Sequence, residues 1–274
     1  MANTYSGLVI TRSGQVATIG MRPSGDVQYV RGPEDPPPVF FPKHKQLGLA
    51  LEELRADNSI RVIVLTGLGD VFFVPPSGAP GPKARHNPGE DWDLTVGLAR
   101  TLQAFIEIEK PIIARVNGDA IGFGSSLAFA SDFIIAAEDA VIADYHLGMG
   151  ETGYGRSDVG VVPGDGGSVF VPMHMPPAMA KEFLFLARPY TGADLAALGI
   201  VNRAVPAAEL DATVDEFCRR LLLRSAHALG LAKRVVNRRI AANFNLTFDS
   251  AWAYEMANFY MHMATTDERG RSEL

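Results

Sequence analysis

Apolar positions along the chain follow two periods, and each predicts a different element. Leu47, Leu51 and Leu54 recur at helical spacing and predict a helix over residues 43–55. Leu94, Leu98, Leu102 and Ile106 stand four apart and predict a second helix over residues 91–108, with Asp91 placed to cap it. Between them, residues 61–66 form a short β-branched run that ends at Thr66-Gly67 and reads as a buried strand. Residues 8–11 and 16–21 predict two further strands joined by a turn at Ser13-Gly14. Residues 22–42 and 78–88 are rich in proline and glycine and read as loops.

The pattern is densest over residues 110–139, KPIIARVNGDAIGFGSSLAFASDFIIAAED. Residues 112–116 are an apolar run suited to a buried strand, broken by Asn117-Gly118. Gly122-Phe123-Gly124 forms a second turn, residues 125–130 a short helix and residues 133–136 the next strand. A glycine turn opening onto a helix directs backbone N–H groups outward from the positive end of the helix dipole, an arrangement able to hold an oxyanion. On spacing alone such a turn ordinarily serves only to reverse the chain. Beyond it, helices are predicted over residues 168–172, 176–186 and 191–198, then a strand, and finally three helices reaching 224, 240 and 265, the last starting at 247.

Composition narrows the function classes. The chain has 274 residues, 47% of them hydrophobic, enough for one large or two modest domains. With 25 basic and 31 acidic residues the net charge is −6, which gives no basic excess to attract nucleic acid. A single cysteine, Cys218, excludes an intramolecular disulfide and reads as a buried helical thiol. His174, His227 and His262 are isolated, so no metal site is expected. No apolar stretch has membrane-spanning length, and the first residues lack the pattern of a secretory leader, so a cytoplasmic protein is expected.

The 110–139 segment resembles the core signature of the enoyl-CoA hydratase/isomerase, or crotonase, superfamily, as do RVIVLTGLGDVFF, VVPGDGG and YTGADLAALGIVNRAVP in the same order. The resemblance implies an α/β fold: a spiral of strand-strand-helix repeats over residues 1–205, then a C-terminal helical trimerisation region over 206–274, assembled as a trimer or hexamer. It also implies an oxyanion hole built from the backbone N–H groups of Val74 and Phe123. Lys233 falls where relatives often carry a lysine linked to coenzyme or interface contacts, although a solvated lysine fits as well.

The chain departs from that family's usual chemistry at defined places. Pro75 and Ser77 replace a glycine and an acidic residue after Val74. Hydratases commonly hold water between two glutamates; here those positions fall on Ser126 and His146. A loop at 22–42 stands where most relatives carry a coenzyme-binding segment. His44, Asp144-x-His146 and Gly164-Asp165-Gly166-Gly167 instead resemble the subgroup that includes 6-oxocamphor hydrolase, in which a His–Asp pair activates water for retro-Claisen cleavage. Candidate catalytic residues are therefore His146, Asp165 and His44. Glu151 joins them from an insertion around residues 147–157 that also carries Tyr154. Three readings stay open: enolate chemistry on an acyl-CoA, with coenzyme A as part of the substrate and no tightly bound cofactor; hydrolysis of a β-diketone; and a non-catalytic binding protein.

Overall fold

A computed structural model of the chain describes residues 5–22, 42–75, 88–148 and 160–271. Its first strands, β1 (Leu8–Ser13) and β2 (Val16–Met21), form an antiparallel hairpin, and α1 (Pro42–Ala56) follows. Next come β3 (Val62–Gly67), α2 (Pro88–Glu107), β4 (Ile112–Val116), β5 (Ala120–Ile121) and α3 (Phe123–Ala130). β6 (Phe133–Ala137), β7 (Val141–Ala143), α4 (Gly167–His174) and α5 (Pro177–Phe185) repeat the order. The chain continues through β8 (Tyr190–Thr191), α6 (Gly192–Ala197) and β9 (Arg203–Val205). It closes with α7 (Leu210–Leu222), α8 (Ala226–Val236) and α9 (Arg238–Arg271).

Strands sort into a six-stranded sheet, β1-β2-β3-β4-β6-β9, and a three-stranded sheet, β5-β7-β8. Every pairing in the large sheet beyond β1–β2 is parallel. Each turn of the spiral gives one strand to the large sheet, a short strand to the small one, and then a helix. β4, β5 and α3 make one such turn, and β6, β7 and α4 the next. An earlier turn contributes only the Phe73–Ala120 bridge to the small sheet.

The period of two along a strand decides what each face packs against. Ile63, Leu65, Ile112, Ala114 and Ile134 face the main core, together with Leu51 and Leu54 of α1 and Leu98 and Leu102 of α2. Val62, Val64, Ile113 and Ile135 face the other way, onto Leu210, Val214 and Cys218 of α7. Because both faces are covered, β3 reads in sequence as an unbroken apolar run rather than an alternating one. Each large aliphatic side chain so buried contributes about 1.5–3 kcal/mol. Burial also pushes the Cys218 thiol up to about 11, as expected of an inert packing residue.

Two boundaries and one side-chain environment differ from the sequence reading. α2 begins at Pro88, whose fixed φ suits a first helical position, so Asp91 lies inside the first turn rather than capping it. The last helix runs unbroken from Arg238 rather than starting at 247, and within it Asn243 Nδ2 donates to the Val169 carbonyl of α4 at 2.9 Å. Lys233 is neither solvated nor turned toward a ligand. It is 8% exposed, and its Nζ donates to Asp132 Oδ2 at 2.6 Å and to the Lys110 carbonyl at 3.1 Å. Asp132 Oδ2 also accepts the Ile112 N–H at 2.7 Å, so one ion pair ties α8 to the start of β4. Among the described residues no helix is long and apolar enough to cross a membrane.

Removing one member of a buried pair strands the other charge. Lys233→Met should lower unfolding free energy by about 3–5 kcal/mol, read from urea denaturation. A loss below about 1 kcal/mol would place the pair among weak surface bridges instead.

Candidate active site

Asn117 turns its side chain back from the end of β4 onto the segment after β3. Its Oδ1 accepts from the Gly67 N–H at 3.0 Å and the Thr66 hydroxyl at 3.1 Å, and its Nδ2 donates to the Gly69 carbonyl at 2.8 Å. The Phe72 and Phe73 N–H groups both donate to the Asp119 carbonyl at 3.0 Å, and the Ile121 N–H donates to the Phe73 carbonyl at 2.9 Å. The segment ending in Val74 is thereby fixed beside β5 and the start of α3. There Gly122 adopts φ 61, and a Cβ on it would stand 2.0 Å from the Tyr145 ring, so both conformation and space require glycine. Phe123 opens α3, where a helical N–H has no acceptor within its own helix and lies at the dipole's positive end. The two expected oxyanion donors, Val74 and Phe123, therefore sit on segments locked to each other. Pro76 and Ser77 lie outside the described residues.

His146 follows directly from the end of β7. Asp144 Oδ1 accepts the His146 backbone N–H at 2.8 Å and also faces its ring Nδ1 at 2.9 Å. One carboxylate thus fixes both the main chain and the ring, and because it can only accept, it places a proton on Nδ1. The opposite nitrogen, Nε2, lies 3.3 Å from Asp165 Oδ2 and 4.0 Å from Glu255 Oε1. Tyr145 stacks on the imidazole at 4.7 Å. Exposure is 0% for Asp144, 4% for His146 and 6% for Asp165, so these charges answer to one another rather than to water.

Asp165 sits in the Gly164-Asp165-Gly166-Gly167 turn that opens α4. The Gly164 N–H donates to Glu255 Oε2 at 2.9 Å, and the Ser126 hydroxyl donates to Asp165 Oδ1 at 3.1 Å. Gly166 takes φ 122, and a Cβ there would lie 3.1 Å from Ser126 Cβ. His44, in the first turn of α1, stacks its ring on Phe123 at 3.9 Å and lies close enough to Asp165 to favour its ionised form. The Thr101 hydroxyl donates to the His44 carbonyl and so fixes α1 against α2.

Electrostatics follow from this packing. Burial alone would push His146 toward its neutral form, but the Asp144 and Asp165 carboxylates outweigh it and hold the imidazolium well above its ordinary range. Burial would raise Asp165, yet the His146 cation pulls it below the usual carboxylate value. Glu255 has no such close partner; burial dominates and lifts it to about 8, so it keeps its proton at neutral pH. Tyr145 is lifted to about 12, chiefly by burial, and stays a phenol. The site therefore offers an imidazolium between two carboxylates, a neutral carboxylic acid beside it, and a helix N-terminus nearby. That set can position water, move a proton and receive negative charge on oxygen.

The structure brings His44, Phe123, His146 and Asp165 together, and His146 meets Asp165 although an insertion separates them in sequence. Glu151 and Tyr154 lie outside the described residues. Sequence reasoning missed Glu255, which sits in the apolar stretch Trp252–Met256 read as core or interface. Its signal was a lone acid among large apolar residues. Sequence reasoning also valued Ser126 only for the carboxylate it lacks, not for the hydroxyl it gives to Asp165.

Residues 43–272 match the family model described as enoyl-CoA hydratase/isomerase. The chain is 32% identical over 189 residues to a carnitinyl-CoA dehydratase of Salmonella typhi, covering 69% of this chain and 68% of that protein. An enoyl-CoA hydratase/isomerase from Mycobacterium paratuberculosis superposes with TM-score 0.76 at 22% identity, covering 95% of this chain and 98% of that one. A β-diketone hydrolase from the cyanobacterium Anabaena sp. PCC 7120, bound to (S)-3-oxocyclohexyl acetic acid, superposes with TM-score 0.76 at 24% identity, covering 97% and 96%. At those identities the two structures share this chain's fold, including the crotonase-type α/β spiral.

Glu255 supplies a pH test of the site. In the unfolded chain a glutamate ionises near 4.5, whereas in the fold Glu255 holds its proton to about 8. The unfolded state therefore binds fewer protons between those values, and stability falls as pH rises through that window. Glu255→Gln keeps an acceptor for Gly164 and removes this loss. Its Tm should match wild type near pH 4 and clearly exceed it at pH 8. Equal melting curves at both pH values would contradict the assignment.

Proposed function

The chain belongs to the enoyl-CoA hydratase/isomerase family and is an enzyme of that lyase/isomerase group, and from that premise we propose that it cleaves a C–C bond of a β-diketone with water, through an enolate. The observation that carries this reading is His146 held between Asp144 and Asp165, with Ser126 where a hydratase glutamate would stand. With His146 in its neutral form, water beside Nε2 loses a proton to that nitrogen as its oxygen joins one carbonyl carbon, and Asp165 balances the resulting imidazolium. The bond from that carbon to the central carbon then breaks, and its electron pair becomes an enolate on the second carbonyl. The Val74 and Phe123 N–H groups receive the enolate oxygen. The proton returns to the central carbon, giving a carboxylic acid and a ketone. Asp144 keeps Nδ1 protonated, so Nε2 is the atom that exchanges the proton. His44 stacks on Phe123 at 3.9 Å and so borders the second proposed donor. The structurally similar Anabaena protein is a β-diketone hydrolase, which agrees with this choice.

A second reading has its own support. The carnitinyl-CoA dehydratase relative acts, by its name, on a coenzyme A thioester. In that case the same N–H pair would hold a thioester enolate, and Glu255, kept protonated, would exchange the proton with the substrate. One paired experiment separates the two. Loss of diketone absorbance on cyclic β-diketones, with acid product by mass spectrometry and no calorimetric binding of coenzyme A or crotonyl-CoA, supports hydrolysis. Micromolar binding of crotonyl-CoA without diketone turnover overturns it in favour of the thioester.

The proposed assembly is a trimer or a dimer of trimers. Leu231, Val235 and Val236 of α8 and Leu246 of α9 are 66%, 70%, 71% and 82% exposed, a load of apolar surface on the helices assigned to assembly.

Two outcomes follow for the active enzyme. His146→Gln should reduce kcat by about 100- to 10,000-fold while circular dichroism stays native. The neutral-imidazole base is populated only above the raised His146 value, so kcat/KM should climb with pH on the alkaline side. Asp144→Asn removes one supporting carboxylate and should move that rise roughly 1 unit toward acid. A rise that stays in place would remove Asp144 from the proton-handling set.

A further inference from the structure

We infer that Ser126 is a positioning residue, whose hydroxyl fixes the plane of the Asp165 carboxylate so that its second oxygen stays aimed at His146 Nε2. This rests on the reading of His146 and Asp165 as the proton-handling pair. The two serines of α3 have different duties. The Ser125 hydroxyl donates to the Gly122 carbonyl at 2.8 Å and is spent inside its own helix. The Ser126 hydroxyl leaves the helix and donates to Asp165 Oδ1 at 3.1 Å, across 39 residues of sequence. Its backbone is rigid there, because the Ser126 N–H closes the first turn of α3 onto the Gly122 carbonyl at 3.1 Å. Both serines are fully buried, with 0% exposure, so water does not compete for either bond.

The two oxygens of Asp165 thus have separate partners: Oδ1 takes the Ser126 proton, and Oδ2 faces Nε2 at 3.3 Å. A carboxylate held by donors on two different elements cannot rotate without breaking one bond. Gly166 makes the approach possible, since a side chain there would press on Ser126 Cβ from 3.1 Å. Without the hydroxyl, Oδ1 would be a buried charged acceptor lacking its donor, and rotation of the carboxyl would be the cheapest relief. A family-type glutamate at 126 would bring a second carboxylate against Asp165, so serine at 126 and aspartate at 165 depend on each other.

The test reads the histidine as well as turnover. Four other titratable groups lie around the pair: Asp144 on Nδ1, Glu255 from α9 at 4.0 Å from Nε2, Tyr145 stacked on the ring, and His44 beside Asp165. None of them is altered by a change at 126. Hydrogen–deuterium exchange at the imidazole C2, followed by mass spectrometry of the His146 peptide, gives the titration midpoint of that residue in the substrate-free enzyme. In Ser126→Ala the midpoint should fall toward the ordinary histidine value, with Ser126→Cys between alanine and wild type. kcat should drop about tenfold in the alanine variant with KM changed less than twofold, since a misaligned base affects the proton transfer rather than binding. An unchanged midpoint, or an alanine variant as active as wild type, overturns the inference. Should the alanine variant not accumulate as folded protein, Ser126→Cys, which keeps nearly the same volume, carries the same comparison alone. A shifted midpoint in an enzyme that turns over no β-diketone would leave Ser126 in place and overturn the substrate instead.

Discussion

The structure turns on placing several carboxyl groups and one imidazole in the same water-poor space. Each buried charge costs several kcal/mol unless it is paired and hydrogen-bonded. Here the solution is divided among distant parts of the chain. His146 becomes the cation between Asp144 and Asp165. The His146 backbone N–H and the Ser126 hydroxyl supply donors to those two carboxylates. Glu255, where burial outweighs the attraction of the His146 cation at 4.0 Å, keeps its proton. Remove one of these provisions and the rest become unfavourable together, which makes the cluster a single unit rather than a set of contacts.

The same charge balance sets the chemistry. An imidazole with one carboxylate has a fixed tautomer; with a second carboxylate at its other nitrogen it also has a raised affinity for the proton. Such a group is a reluctant donor at neutral pH and a competent base once water or substrate separates Nε2 from Asp165. The segments carrying the proposed oxyanion donors are held separately from this cluster, by the Asn117 side-chain amide and by backbone bonds. Asn117 and Asp119 hold the segment that leads to Val74, and Gly122 turns Phe123 into the helix N-terminus. The proposed proton-handling and charge-stabilising groups thus depend on separate sets of bonds, carboxylate–imidazole pairing at His146 and an Asn117-anchored backbone turn at Val74 and Phe123.

Much of the fold was legible because it depends on local periodicity. The 112–116 run became β4, and the leucines of α1 and α2 point into the core as spaced. What sequence could not give was the identity of partners brought from far away. Lys233 reads as a surface lysine because nothing near it in sequence is acidic, yet Asp132 lies beside it in space. The start of the last helix is read nine residues late because the partner of Asn243, the Val169 carbonyl, belongs to another helix. Glu255 reads as a stray acid in an apolar face because the Gly164 N–H and His146 approach it only across the folded interior. His44, His146 and Asp165 were recoverable as candidates through resemblance, but the meeting of the last two across an insertion is a fact of tertiary structure.

The C-terminal helix draws these strands together. Among the described residues α9 is fastened at three points: Asn243 to the Val169 carbonyl of α4, Trp252 Nε1 to the Thr95 hydroxyl of α2 at 2.8 Å, and Glu255 to the Gly164 N–H in the turn that carries Asp165. Helix α4 and the Asp165 turn are therefore gripped from one rigid rod, and a shift of that rod would move Glu255 and Asp165 relative to His146. The same rod exposes Leu246, near Asn243 and facing away from the core. A second subunit covering Leu246 would restrain α9 along its length, and with it the two carboxyl groups that face Nε2. In the proposed assembly and chemistry, one helix thus carries both the exposed Leu246 and the buried Glu255.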